Sequence, residues 1–309
     1  MHHESIKNLI IVQNSQSTRF ESIHRLFQLL DAYELTYEVY HTPSADTEEN
    51  IQAMQQDLPD GAMIISAAGD GTAMQVINAV LRAEKGETTL GFVPFGNFND
   101  IARSHAKRGH TVIDMLTAPV VESHPITIEA DGEYWRHAPA YVTLGWTALA
   151  ASRFSDRESR ESMQHNGNSA TRTNSLRQLS KHYFDNRHLK LPPFRLNGDE
   201  ELFTEVTDIL AINNPRVGSI VRSNELYFDS PNFGSRANIN VSHILPNMPF
   251  VIKALFGRAP FEATDELHIS FEDTASLPIQ TEGEFQQLEA KEIHIYKNPH
   301  DTVWILHSK

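Results

Sequence analysis

A chain of 309 residues with 40% apolar and 21% charged residues is long enough for two domains and too apolar to be globally disordered. Its formal charge of −14 argues against non-specific nucleic-acid binding, which rests on Lys and Arg meeting phosphates, and against wholesale attraction to anionic membranes, while leaving room for a local basic face. The absence of cysteine rules out disulfides and thiolate chemistry and leads us to expect a cytoplasmic setting. No apolar run approaches the roughly 20 residues of a membrane-spanning helix. The opening stretch, MHHESIKNLIIVQNS, is too briefly apolar for a signal peptide. Sixteen histidines invite a metal site, but none forms an HExxH-like pair.

From the N-terminus, NLIIV (8–12) reads as a buried parallel strand, and Phe20, Ile23, Phe27 and Leu30 recur at helical spacing. LTYEVY (35–40) predicts a strand and ENIQAMQQDL (49–58) a helix carrying Ile51, Met54 and Leu58. AMII (62–65) is a further strand, followed by a helix over 72–82, a strand over 89–94 and a helix from about Asn99. Strands alternating with helices predict an α/β layer on a parallel sheet. Near Ser123 the texture changes. PITIEADGEYW (125–135), with a hairpin-turn Asp131-Gly132, then FRLNGDEELF (194–203), RANINV (236–241), ELHISF (266–271) and EIHIY (292–296) alternate with period two. That pattern predicts an antiparallel β-sandwich. TVWILHS (302–308) is one more candidate strand. Between the strands lie a polar stretch (155–190), containing an expected mobile loop at 163–174, and an amphipathic segment, LPNMPFVIKALFG (245–257).

AGDGT (68–72) ends a buried strand and opens a helix. Alone it reads as a tight turn with Thr72 as helix N-cap. One strand later, however, PFGNFNDIAR (94–103) repeats the arrangement, and adjacent parallel strands deliver successive loops to one sheet edge. There, Gly69, Gly71 and Gly96 remove side chains, and helix N-termini offer N–H donors to a phosphate. Asp70 and Asp100 beside a phosphate chain would call for a divalent cation, and Mg²⁺ binds through one or two carboxylates plus phosphate oxygens. Late in the chain TEGE (281–284) sets Glu282 and Glu284 two residues apart, which puts them on one face of an extended chain. In isolation it also reads as a glutamate-rich turn on an acidic surface.

AGDGT, PFGNFNDIAR and TEGE, in this order and spacing, resemble the three motifs of the diacylglycerol kinase catalytic domain, a family that includes soluble bacterial lipid kinases and is related to NAD kinase and phosphofructokinase. The resemblance implies an α/β ATP-binding domain over 1–122, rejoined by a strand in 300–309, and a β-sandwich lipid domain over 123–299. It implies ATP held by Asn14, Gly69, Asp70, Gly71, Thr72, Gly96, Asn99 and Asp100, and Mg²⁺ near Asp70, Asp100 and Glu284. Glu282 stands where the family has an aspartate general base, with Glu284 beside it, and the acceptor is a diacylglycerol-like lipid hydroxyl. A lipid partner implies transient contact with a membrane surface; 245–257 could dock there or line an acyl-chain cleft, though it reads first as a core-facing helix. Two basic clusters (Arg103, Lys107, Arg108; Arg177, Lys181, Arg187, Lys190) either offset the acidic surface locally or are solvated faces. A homodimer stays open. The chain departs from the family at Ala68, Asn97, Thr127 and Glu282, and QNSQST (13–18) keeps only Asn14 and Ser17 of its N-terminal loop. These departures keep a second reading, a nucleotide or lipid sensor without turnover. A kinase for NAD is disfavoured, since AINNPRVG (211–218) lacks that group's Asn-Glu motif.

Overall fold

A computed structural model describes residues 8–14, 23–96, 99–107, 109–155, 181–186, 188–217, 221–223, 227–240, 253 and 258–308. The stretch 163–174 and all of 245–257 except Lys253 lie outside the described residues. In chain order the elements are β1 (Leu9–Gln13), α1 (Ile23–Ala32), β2 (Tyr37–His41), α2 (Thr47–Asp57), β3 (Met63–Ala68), α3 (Asp70–Arg82), β4 (Thr89–Pro94), α4 (Asp100–His105), α5 (Val112–Leu116) and β5 (Val120–Ser123). There follow β6 (Ile126–Ala130), β7 (Glu133–Ala138), β8 (Tyr141–Gly145), α6 (Trp146–Ser155), β9 (Phe194–Leu196), β10 (Asp208–Ile212), β11 (Arg216–Val217) and β12 (Val221–Arg222). The last are β13 (Phe233–Ile239), β14 (Glu262–Thr264), β15 (Glu266–Thr281), β16 (Glu284–Tyr296) and β17 (Val303–Leu306). The chain divides into two compact units, Met1–Pro125 with Pro299–Lys309, and Ile126–Asn298.

The first unit is the expected α/β layer. Its sheet runs β2-β1-β3-β4-β17-β5, parallel except where β5 pairs antiparallel with β17. β1 is buried along its whole length, as is β3 after Met63, because helices cover both faces; hence the unbroken apolar runs. α2 begins at Thr47, two residues before the expected start, with the Asp46 side chain accepting from Glu48 and Glu49 N–H. α3 is buried continuously from Thr72 to Val80 and runs through the middle of the unit. Gly91 belongs to that packing, since a Cβ there would lie 2.6 Å from Ile65 Cδ1. The chain goes out from β1 to β2 and back across to β3, so the strand order reverses beside β1. Open α/β sheets bind ligands outside the carboxyl ends of strands at such a point.

The second unit is antiparallel, as the alternating segments predict. Its strands follow β14-β13-β10-β8-β15-β16-β6-β7, with β9 on the far part of β15 and β11 pairing β12 separately. The short expected strands 266–271 and 292–296 are the ends of a much longer hairpin, 16 and 13 residues. β8 pairs with 279–281 of β15 while β9 pairs with 269–271, and a register shift separates Ser270 from Ala275. A bulge of this kind bends the strand, and the sheet curls around one core that includes Ile128, Val142, Ile209, Phe233, Ile269 and Ile293.

Candidate functional site

In the first unit the two glycine loops touch through their backbones. A Cβ on Gly96 would sit 2.4 Å from Gly69 Cα, and one on Gly69 3.2 Å from Gly96 Cα. Gly96 therefore needs glycine for loop-on-loop packing, and Gly69 is tight against it, a reason sequence inspection did not supply. Asn99 closes the second loop on itself: its Oδ1 accepts from Gly96 N–H at 2.7 Å and its Nδ2 donates to Gly96 carbonyl at 2.6 Å. It does so from the left-handed conformation, φ 56°, which asparagine tolerates. The side chains of Asn14 and Thr72 meet as well, Asn14 Nδ2 donating to Thr72 Oγ1 at 3.3 Å. Thr72 is not the N-cap of α3. That position is Gly69, which has no capping side chain, while Thr72 lies buried in the first turn.

Asp70 links the loops. Its two carboxyl oxygens accept from the N–H groups of Asp100 and Ile101, each at 2.9 Å, and so cap α4 from another element. Asp70 as a whole is half-buried, but its carboxyl is desolvated, and that together with the Asp100 carboxylate pushes its pKa up; the α4 N–H bonds and Arg103 partly oppose the rise. Asp100 is fully buried. Of the two helix starts, α4 is thus capped by a carboxylate from another element, whereas α3 begins without a side-chain cap and carries Asp70 in its own first turn.

In the second unit, Glu282 and Gly283 form the two-residue turn joining β15 to β16, with φ 48° and 87°, the signature of a type I′ hairpin. The extended geometry expected for Glu282 and Glu284 is therefore replaced by a tight turn. Within the turn, the Glu282 side chain does not face solvent. Glu282 is 4% exposed, and its Oε1 accepts from Ala140 N–H at 2.7 Å and Tyr141 N–H at 3.0 Å. Glu284, the first residue of β16, is half-buried.

Two charged groups in this unit escaped sequence inspection. Asp208 opens β10 and accepts from Thr147 N–H at 3.1 Å and from the Thr147 hydroxyl, capping α6; burial pushes its pKa up to about 7 against those hydrogen bonds. Lys297 donates to the carbonyls of Tyr227 and of Ser230, the latter at 2.7 Å, and burial lowers its pKa to about 7, opposed by Asp229. Neither lies in a recognisable motif. Among the described residues no group of three or more His, Asp or Glu side chains is placed to hold a metal ion.

The glycine loops lie within the part of the sequence that other proteins share. Residues 8–128 match the diacylglycerol kinase catalytic domain. The match to this kinase domain starts at β1 and ends in β6, so it takes in Asn14, both glycine loops, Asp70 and Asp100. No curated protein matches the chain. Three solved structures from Bacillus anthracis str. Sterne, all named diacylglycerol kinases and two of them provisionally, resemble it at a TM-score of 0.67 and 14–15% identity. They cover 98% of this chain and 97–98% of their own. At that identity the likeness concerns the fold, and it extends over both units.

Proposed function

We propose that the protein is a lipid kinase that transfers the γ-phosphoryl group of ATP to the hydroxyl of a diacylglycerol-like lipid. The observation that carries this reading is the kinase-domain match over 8–128, with both glycine loops inside it and packed backbone to backbone. ATP phosphates would lie at the uncapped start of α3, against Gly69, Asp70, Gly71 and Thr72, with Asn14 alongside. Gly96, Asn99 and Asp100 would shape the second wall.

Mg²⁺ fits this donor set only together with the nucleotide's own oxygens, since no ready group of three ligands exists among the described residues. Asp70 and Asp100 are the carboxylates it would draw on, and a cation beside them would offset their mutual repulsion. Bound there, the ion would neutralise charge on the transferring phosphoryl group. Glu282 would take the proton of the attacking hydroxyl, its carboxylate held by two main-chain N–H groups, with Glu284 nearby in sequence as a further acid. A lipid acceptor implies peripheral contact with a membrane. No described helix is long and apolar enough to cross one.

A second reading, a nucleotide-responsive protein without turnover, is favoured by the commitment of both Asp70 oxygens to α4. Labelled ATP, Mg²⁺ and vesicles containing candidate lipids separate the two. Phosphorylated lipid should form with wild type, and Glu282→Gln should lower the rate by about 10²–10⁴-fold, the worth of a general base, while ATP binding by calorimetry persists. Nucleotide binding with no transfer to any lipid hydroxyl would overturn the kinase reading in favour of the second.

A further inference from the structure

Three chain segments meet at one end of β8: Pro139–Ala140 before it, Asn213–Asn214 just after β10, and Glu282–Gly283 just after β15. The bonds among them form a relay of rigid groups. A peptide unit is planar, so gripping its carbonyl sets the direction of the N–H at its other end. The unit joining Pro139 to Ala140 points its N–H at Glu282 Oε1 (2.7 Å), and its carbonyl accepts from Asn213 Nδ2 at 3.0 Å. The unit joining Ala140 to Tyr141 points its N–H at the same oxygen (3.0 Å), and its carbonyl accepts from Asn213 N–H at 2.7 Å and Asn214 N–H at 3.0 Å.

We infer that Asn213 is a positioning residue for the Glu282 carboxylate, acting through the two peptide planes that donate to it. This rests on reading Glu282 as the base. Asn213 is itself 0% exposed and enters from β10, a strand remote in sequence from both Ala140 and Glu282. Its side-chain amide and its main-chain N–H take successive carbonyls, so one residue sets both donors. Glu282 sits in a left-handed turn, φ 48°. An asparagine kept only to satisfy a corner would affect the stability of the unit, whereas one that aims two donors at a base changes that base's placement selectively.

Two arms test this on the full chain. The first is amide exchange by NMR. Asn213→Ala removes the amide donor to the Pro139 carbonyl and leaves the main-chain donors to the Ala140 carbonyl in place. The Ala140 amide should therefore exchange at least tenfold faster, with the Tyr141 and β15–β16 amides unchanged. Asn213→Leu, which keeps about the shape and removes the amide donor without adding a charge, should do the same for Ala140. Uniform loosening of the whole unit, or an unchanged Ala140 amide, overturns the inference.

The second arm is a cycle in lipid phosphorylation. Asn213→Ala should lower kcat at least tenfold with the KM for ATP within twofold, and should have no further effect in a Glu282→Gln background. An equal factor in both backgrounds would mean a purely structural residue. A wild type without lipid transfer sinks the base reading, and the amide arm alone then decides whether Asn213 sets the cradle around Glu282.

Discussion

Burial outweighs the two hydrogen bonds from Thr147 and pushes the Asp208 carboxyl up. Its pKa of about 7 in the folded protein lies above the ordinary 3.8, so its contribution to stability is full below about pH 4. As the pH rises toward 7, the unfolded chain releases a proton that the folded chain keeps. Stability should fall by about 1.4 kcal/mol per pH unit across that window from this group. Asp208→Asn should remove that part of the slope, which urea denaturation at pH 4.5 and 6.5 measures as a difference between variant and wild type. Gly96 offers a sharper test of packing. Gly96→Ala drives a Cβ into Gly69 backbone and should cost about 2–3 kcal/mol, with weakened ATP binding. Gly86→Ala, with nothing within 4 Å of the added carbon, should stay within about 0.5 kcal/mol.

Among the elements, α4 depends on a distant side chain. It has six residues, too few to hold itself, and its first N–H groups bond to Asp70. Asp70→Ala should speed amide exchange at Asp100 and Ile101 before anything else in the sheet and abolish ATP binding by disturbing both glycine loops. At the junction of β8 and α6, Gly145 has φ 100° and a Cβ would lie 2.2 Å from the Thr207 carbonyl. Gly145→Ala should therefore cost about 3 kcal/mol or more, read by chemical denaturation. Elements also show where pattern reading ended. β8 (YVTLG) and β10 (DILAI) are buried at every position and carry no period-two signal, so nothing marked them as members of an antiparallel sheet. β15 lost its alternation at the bulge after Ser270 and again from Leu277 to Thr281, where it is covered on both faces.

At the level of the molecule, each unit has its own apolar core. One is built on Leu9, Leu26, Ile65 and Met115, the other on Ile128, Val142, Ile209 and Ile293. Single-transition unfolding is an assumption such a chain need not satisfy. Calorimetry should resolve two transitions, and ATP with Mg²⁺ should raise one of them, by binding the folded state alone. Local pattern was enough for the α/β half, the antiparallel half and the places of AGDGT, PFGNFNDIAR and TEGE, because periodicity, glycine and turn chemistry act over a few residues. Packing alone decided that Gly69 and Gly96 press together, that Asp70 caps a helix thirty residues on, and that Glu282 in a surface-looking Glu-Gly turn is buried under Ala140 and Tyr141. Those contacts join residues far apart in the chain, and no local preference encodes which distant backbone will arrive beside them.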